Sequence, residues 1–165
     1  MKTQTIYKGF HRPFQLIPAC FRFLSFSRHF RISKHVLFTD SCRYNLSGKD
    51  QKDWNKLFGF CYGILGIHRN SVRFVWRYNT CNDKIEIAAY YYINKQRIIT
   101  IISSPLMINK IHSFKIERYK DVISMFLDGN QIDHLKLSSN KPAFGCGLYF
   151  GGNRRAPQNI TIKIQ

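Results

Sequence analysis

The feature that most constrains this chain is a period-two alternation that runs through residues 71–93. In SVRFVWRY (71–78), Val72, Phe74, Trp76 and Tyr78 fall on one side and Ser71, Arg73, Val75 and Arg77 on the other. Successive side chains of an extended strand point to opposite faces, so the pattern predicts a strand with one face in a core. NTCND (79–83) follows, rich in turn-forming Asn and Asp. KIEIAAYYYI (84–93) then answers with Ile85, Ile87, Ala89, Tyr91 and Ile93 on one side and Lys84, Glu86, Ala88, Tyr90 and Tyr92 on the other. The two segments read as a hairpin with one apolar face.

The same grammar continues along the chain. KLFGFCYGIL (56–65) sets Phe58, Phe60, Tyr62 and Ile64 on one face, with Gly59 and Gly63 opposite, which marks a bulge or a close backbone approach. GIHRN (66–70) is a turn, and Asn94-Lys95 turns into RIITIIS (97–103). Residues 112–119 and 121–127 read as strands, then DGN (128–130) as a tight hairpin turn into QIDHLKL (131–137). FGCGLYF (144–150) and NITIKI (159–164) close the chain as a strand pair, with Ile160, Ile162 and Ile164 inward. Residues 39–55 are polar and read as a loop. Within residues 1–35, Pro13 and Pro18 forbid a long helix. Phe21 and Phe23 alternate with Arg22, and Phe30 and Ile32 with Arg31, as short irregular or edge strands. No convincing amphipathic helix and no internal repeat occurs. Many short strands separated by turn signals predict one all-β domain over 1–165, a sandwich or barrel.

Charge bears on partners rather than fold. The 26 Lys and Arg face only 9 Asp and Glu, for a net charge of +17, with no acid before Asp40 or after Asp133. Such a chain is drawn to nucleic acid, acidic polysaccharide, lipid headgroups or an acidic protein. A hydrophobic fraction of 44% and an aromatic fraction of 15% exclude a disordered chain. Cys20, Cys42, Cys61, Cys81 and Cys146 are widely spaced, without a C-x-x-C that would support zinc or thioredoxin-like chemistry. Their odd number weakens a secreted disulfide framework, so buried, reduced thiols are expected, favouring the cytoplasm or a virion or other assembly. Lys8, His11, Arg12 and Arg22 interrupt any secretory-signal core, and no run of about 18 apolar residues predicts a membrane span. No metal and no cofactor is expected.

Several segments carry a family resemblance. VISMFLDGNQID resembles the strand–DG–strand hairpin of concanavalin A-like and laminin-G-like jelly rolls, and GLYFGGNRRAPQNITIKI resembles their closing segment. NKLFGFCYG, HRNSVRFVWRYN and IEIAAYYYINKQR are similar to a small family of uncharacterised bacterial or phage-associated proteins. The resemblance covers residues 54–165 and implies an antiparallel two-sheet jelly-roll β-sandwich, one exposed face of which binds carbohydrate. The paired carboxylates of glycosidases on this fold are missing, since Glu86 and Glu117 are the only glutamates and fall on different predicted strands. The Arg, Gln, His and Tyr motif set of its polysaccharide lyases is not found either.

No catalytic residue is therefore assigned. His11, His29, His35, His68, His112 and His134 are scattered, and no cysteine has a recognisable partner pattern. The candidate ligand-binding set is the outer face of the 71–93 hairpin, namely Arg73, Arg77, Glu86, Tyr90 and Tyr92. Tyrosine rings stack on sugars or bases, and arginine forms paired bonds to carboxylate, sulfate or phosphate. A second candidate is the 151–157 loop, where Gly151 and Gly152 free the backbone and Arg154 and Arg155 are adjacent cations. No G-K-[ST] follows, so it is not a P-loop. The reading is a non-enzymatic binding or adhesion module for an acidic glycan or other polyanion. The alternatives are a structural phage or surface component, a polyanion-directed polysaccharide lyase, and charge-driven nucleic-acid binding.

Overall fold

The computed structural model describes residues 1–15, 22–63, 66–102 and 104–165. The sequence expectations for Pro18, Cys20, Phe21, Ile64 and Ser103 lie outside the described residues. The strands are β1 (Lys2–Ile6), β2 (Leu24–Ser25), β3 (His29–Phe38), β4 (Asn55–Tyr62), β5 (Ser71–Asn79) and β6 (Lys84–Ile93), then β7 (Gln96–Ile101), β8 (Ile111–Tyr119), β9 (Val122–Leu127), β10 (Asn130–Lys136), β11 (Ala143–Cys146) and β12 (Ile160–Ile164). They form two six-stranded sheets, ordered β1-β12-β3-β8-β9-β10 and β2-β11-β4-β5-β6-β7, with every pairing antiparallel. Among the described residues no helix is long and apolar enough to cross a membrane.

The alternation seen in the sequence is what joins the two sheets. Phe60, Val72, Phe74, Trp76, Ile85 and Ile87 turn inward from the second sheet and meet Val36, Phe38, Phe114, Ile116 and Met125 from the first, all of them fully buried. Trp76 lies 5.3 Å from Phe38, and Phe74 lies 5.0 Å from Phe114, ring centre to ring centre. Each such side chain contributes about 1.5–3 kcal/mol by leaving water, so the inner faces supply the main driving force for closure. In the β5–β6 hairpin, Val72, Phe74 and Trp76 lie opposite Tyr91, Ala89 and Ile87 on the inner face. Arg73 and Arg77 lie opposite Tyr90 and Glu86 on the outer face.

The N-terminal third differs from the sequence reading. The short edge piece expected around Phe30 and Ile32 is a ten-residue strand, β3, with β12 on one side and β8 on the other. Lys34 occupies an inward position between Ile32 and Val36, and that single cation hides the alternation. β1 is polar in sequence (KTQTI) but pairs along its length with β12. The polar stretch 39–55 contains two short 3-10 turns, Asp40–Cys42 and Gly48–Lys52. Of the expected strand 144–150, only 144–146 is strand, as part of β11; Tyr149 returns as an isolated bridge to Lys56.

Candidate functional site

The outer face of β4, β5 and β6 is not an ordinary solvated sheet surface. Arg73 is 3% exposed and Tyr90 5%, and Val75 and Ala88 are fully buried beside them. Val75, Ala88 and Tyr90 form a small second core that packs Trp54, Tyr92 and Ile99. Gly59, directly opposite Arg73, makes this approach geometrically feasible. A Cβ there would sit 2.1 Å from the Val72 carbonyl oxygen and 2.6 Å from the Arg73 Cα. The Arg73 guanidinium lies over the rings of Tyr90 and Tyr92, at 4.9 and 5.9 Å from their centres. Its Nη2 reaches the Ile67 carbonyl at a long 3.5 Å, while its buried Nε has no hydrogen-bond partner among the described residues. Burial and the neighbouring Tyr92 hydroxyl push the Tyr90 phenol up to about 12, so it stays protonated at neutral pH.

A second cation joins the first. Lys56 Nζ lies 5.7 Å from the ring centres of both Tyr90 and Tyr149 and donates to the carbonyls of Trp54 (2.7 Å) and Gly151 (3.2 Å). Burial, then repulsion by Arg73 and Arg97, lowers its ammonium to about 8, against a smaller upward pull from Asp53. Around this pair, His68 meets the Tyr92 ring edge-on at 5.4 Å, and His11 stacks on Tyr149 at 4.8 Å. Burial, then Arg73 and Lys56, holds His68 below the usual histidine range. Among the described residues no carboxylate forms an ion pair with Arg73 or Lys56. Desolvated cations beside phenol rings can receive an anionic group and a flat or ring-shaped body together.

The other sequence candidates are placed differently. Arg77 Nε donates to Glu86 Oε2 at 2.6 Å, and its guanidinium lies 4.3 Å from the Trp54 ring centre. Glu86 Oε1 also accepts from Asn79 Nδ2 at 2.6 Å, so Arg77 and Glu86 are satisfied within the fold. Arg154 and Arg155 are exposed in the adjoining loop, where Arg154 Nε donates to Asp50 at 2.7 Å. Gly151 has φ +69°, and a Cβ on it would meet the Arg154 carbonyl oxygen at 2.4 Å. The loop is tied to the face through Gly151, whose N–H donates to the buried Asn55 Oδ1 at 2.5 Å. The structure thus gathers Arg73, Tyr90 and Tyr92 and keeps Arg77 and Glu86 as a neighbouring ion pair. It sets Arg154 and Arg155 apart on the loop.

Lys56, Trp54, Tyr149, His68 and His11 were not legible as site residues. Strict alternation puts Lys56 on the same face as Phe58 and Phe60. A bulge between Lys56 and Phe58 turns it outward. Cys61 lies on this outer face too, its thiol held low first by a hydrogen bond from Cys146, then by Arg73 and the Gly66 backbone, against burial. Cys42, Cys61 and Cys146 are buried thiols, and Cys81 is exposed.

No protein-family model matches the sequence, and no curated protein matches it. Solved structures do match in fold. An alginate lyase from Klebsiella pneumoniae superposes with a TM-score of 0.58 and 10% identity over 82% of this chain and 59% of that one. The alginate lyase AlyC3 gives 0.55 and 12% over 82% and 63%. The laminarinase catalytic domain from Thermotoga maritima MSB8 gives 0.55 and 12% over 84% and 62%. The chain spans about three fifths of the length of these structures. At such identities the likeness is one of architecture, and the architecture is an antiparallel, concanavalin A-like jelly-roll sandwich.

Proposed function

We propose that this protein binds an acidic glycan on the outer face of β4–β6, without bond chemistry, through Arg73, Lys56, Tyr90 and Tyr92. The observation that carries the reading is the buried Arg73 guanidinium, whose Nε has no hydrogen-bond partner and which pairs with no carboxylate among the described residues. A desolvated cation left this way costs free energy, and a ligand carboxylate or sulfate would return the missing charge-assisted hydrogen bonds. Half-buried Tyr92 and Lys56 and exposed His68 are the solvent-facing members of the cluster. The tyrosine rings add stacking against the apolar side of a sugar. The fold itself also carries alginate lyases and a laminarinase, proteins named for polysaccharides. Glu86, bound to Arg77 and Asn79, is already engaged within the sheet.

The test is an array of polyuronates and sulfated glycans set against neutral glucans, followed by titration of Arg73→Met and Tyr92→Ala. Binding confined to acidic glycans is expected, with a loss of about tenfold or more in each variant, the scale of a central contact. Equal affinity in both variants, or no acidic glycan bound, would overturn the reading. New ultraviolet absorbance in the bound polymer would replace binding with lyase chemistry.

A further inference from the structure

Cys61 and Cys146 stand on neighbouring strands of the proposed ligand face. Cys146 on β11 lies opposite Gly59 on β4, and Phe144 lies opposite Cys61, so the two cysteines are diagonal neighbours on one face of an antiparallel pair. The neighbouring Cys146 thiol holds the Cys61 thiol low, and Cys61 Sγ donates to the Gly63 carbonyl at 3.5 Å. Both are buried, yet each retains a little exposure, 4% for Cys61 and 8% for Cys146. The Arg73 guanidinium and the Gly66 backbone favour the Cys61 thiolate as well. A thiol flanked by a cation, a backbone donor and a second thiol is the environment that makes cysteine nucleophilic. Diagonal partners lie farther apart than an unstrained disulfide prefers, so closing the bond draws β11 toward β4. β11 is only four residues long, with Gly145 inside it and Gly147 just after, and among the described residues the sheet beyond it has only the two-residue β2.

We infer that Cys61 and Cys146 form an oxidisable dithiol on the proposed ligand face, beside Arg73. In the oxidation, the Cys61 thiolate attacks hydrogen peroxide, the O–O bond breaks, and Cys61 becomes a sulfenic acid as hydroxide leaves. The Cys146 sulfur then attacks the Cys61 sulfur. The S–S bond forms, the S–O bond breaks, and the Cys146 proton leaves with the hydroxyl as water. Overall, two thiols and one peroxide give one disulfide and two waters. The link draws β11 toward β4 beside Gly59 and Arg73 and so reshapes the ligand face. This consequence for binding rests on the function proposed above, while the disulfide itself does not.

The experiment treats the reduced full-length protein with stoichiometric hydrogen peroxide and reads intact mass and a peptide map. A loss of about two mass units, mapped to a Cys61–Cys146 link and reversed by dithiothreitol, is the expected result. Cys146→Ser should instead leave a Cys61 sulfenic acid that dimedone captures, and Arg73→Met should slow the reaction. Oxidation that maps to Cys81 with Cys61 and Cys146 still reduced would overturn the proposal, as would an unchanged rate in Arg73→Met. Because the mass readout needs no glycan, failure of the binding reading and failure of the dithiol are separable. Acidic-glycan affinity before and after oxidation tests the link between them: a changed value is expected, and an unchanged one would overturn it.

Discussion

Gly59 and Lys56 decide how the ligand face is built, and both do so through their neighbours. A methyl group at Gly59 would overlap the Val72 carbonyl oxygen and the Arg73 backbone, neither of which is a flexible side-chain end. Gly59→Ala should therefore destabilise the fold by about 1–3 kcal/mol, the cost of overpacking, measured by urea unfolding. Lys56 gives the face a pH dependence. Its ammonium, lowered to about 8, is charged at neutral pH and neutral above that value, while Arg73 stays charged throughout. Affinity for an acidic glycan should be full near pH 6.5 and fall as pH rises through about 8. Lys56→Arg should flatten that fall in titrations from about pH 6.5 to 9.5. The Gly59 approach was legible in the sequence, because a glycine opposite the apolar face of a strand marks a bulge or a close backbone approach. Lys56 was not, since one bulge residue reverses the side to which alternation assigns it.

At the level of elements, hairpins were the most readable units. Asp128 and Gly129, with φ of +49° and +86°, form a two-residue loop that joins β9 to β10, as the DG pair foretold. The same aspartate also braces β8: its carboxylate accepts the Ser113 N–H and pairs with His112 Nδ1, both at 2.7 Å. Burial raises this carboxyl, but the His112 and Ser113 hydrogen bonds outweigh it and leave the group below its usual range. A carboxyl lowered in the folded state stabilises the protein above the unfolded pKa of about 3.9, and that contribution is lost as pH falls through the folded value. Asp128→Asn, which keeps a residue tolerant of positive φ, should cost about 1 kcal/mol at pH 7 and flatten the acid limb below about pH 4 in urea unfolding. Long-range strands were harder to read. β3 carries Lys34 on its inner side, and β1 is held by pairing with β12, more than 150 residues away in sequence.

Across the whole molecule the few acids are largely spent on internal partners. Asp50 pairs with Arg154, Glu86 with Arg77, Glu117 with Arg31 and Lys115, and Asp40 and Asp83 with Arg43. The net charge of +17 is therefore an outward property, open to any polyanion. Binding to an acidic polymer should weaken steeply between about 0.05 and 0.5 M salt, and Arg73→Met should lower the slope of log affinity against log salt. An unchanged slope would place the contact elsewhere on the basic surface. By itself, the sequence determined that the chain is all-β, a sandwich or barrel, where its main hairpins turn, and that Arg73, Tyr90 and Tyr92 share a face. Those features follow from side-chain alternation and turn chemistry, which act over a few residues. Only the tertiary structure decided that this face is buried, that Lys56 turns toward it, that Arg77 is held by Glu86, and that Cys61 meets Cys146. Each of these depends on the register between strands distant in the chain or on a bulge that shifts it, and local sequence patterns do not encode either.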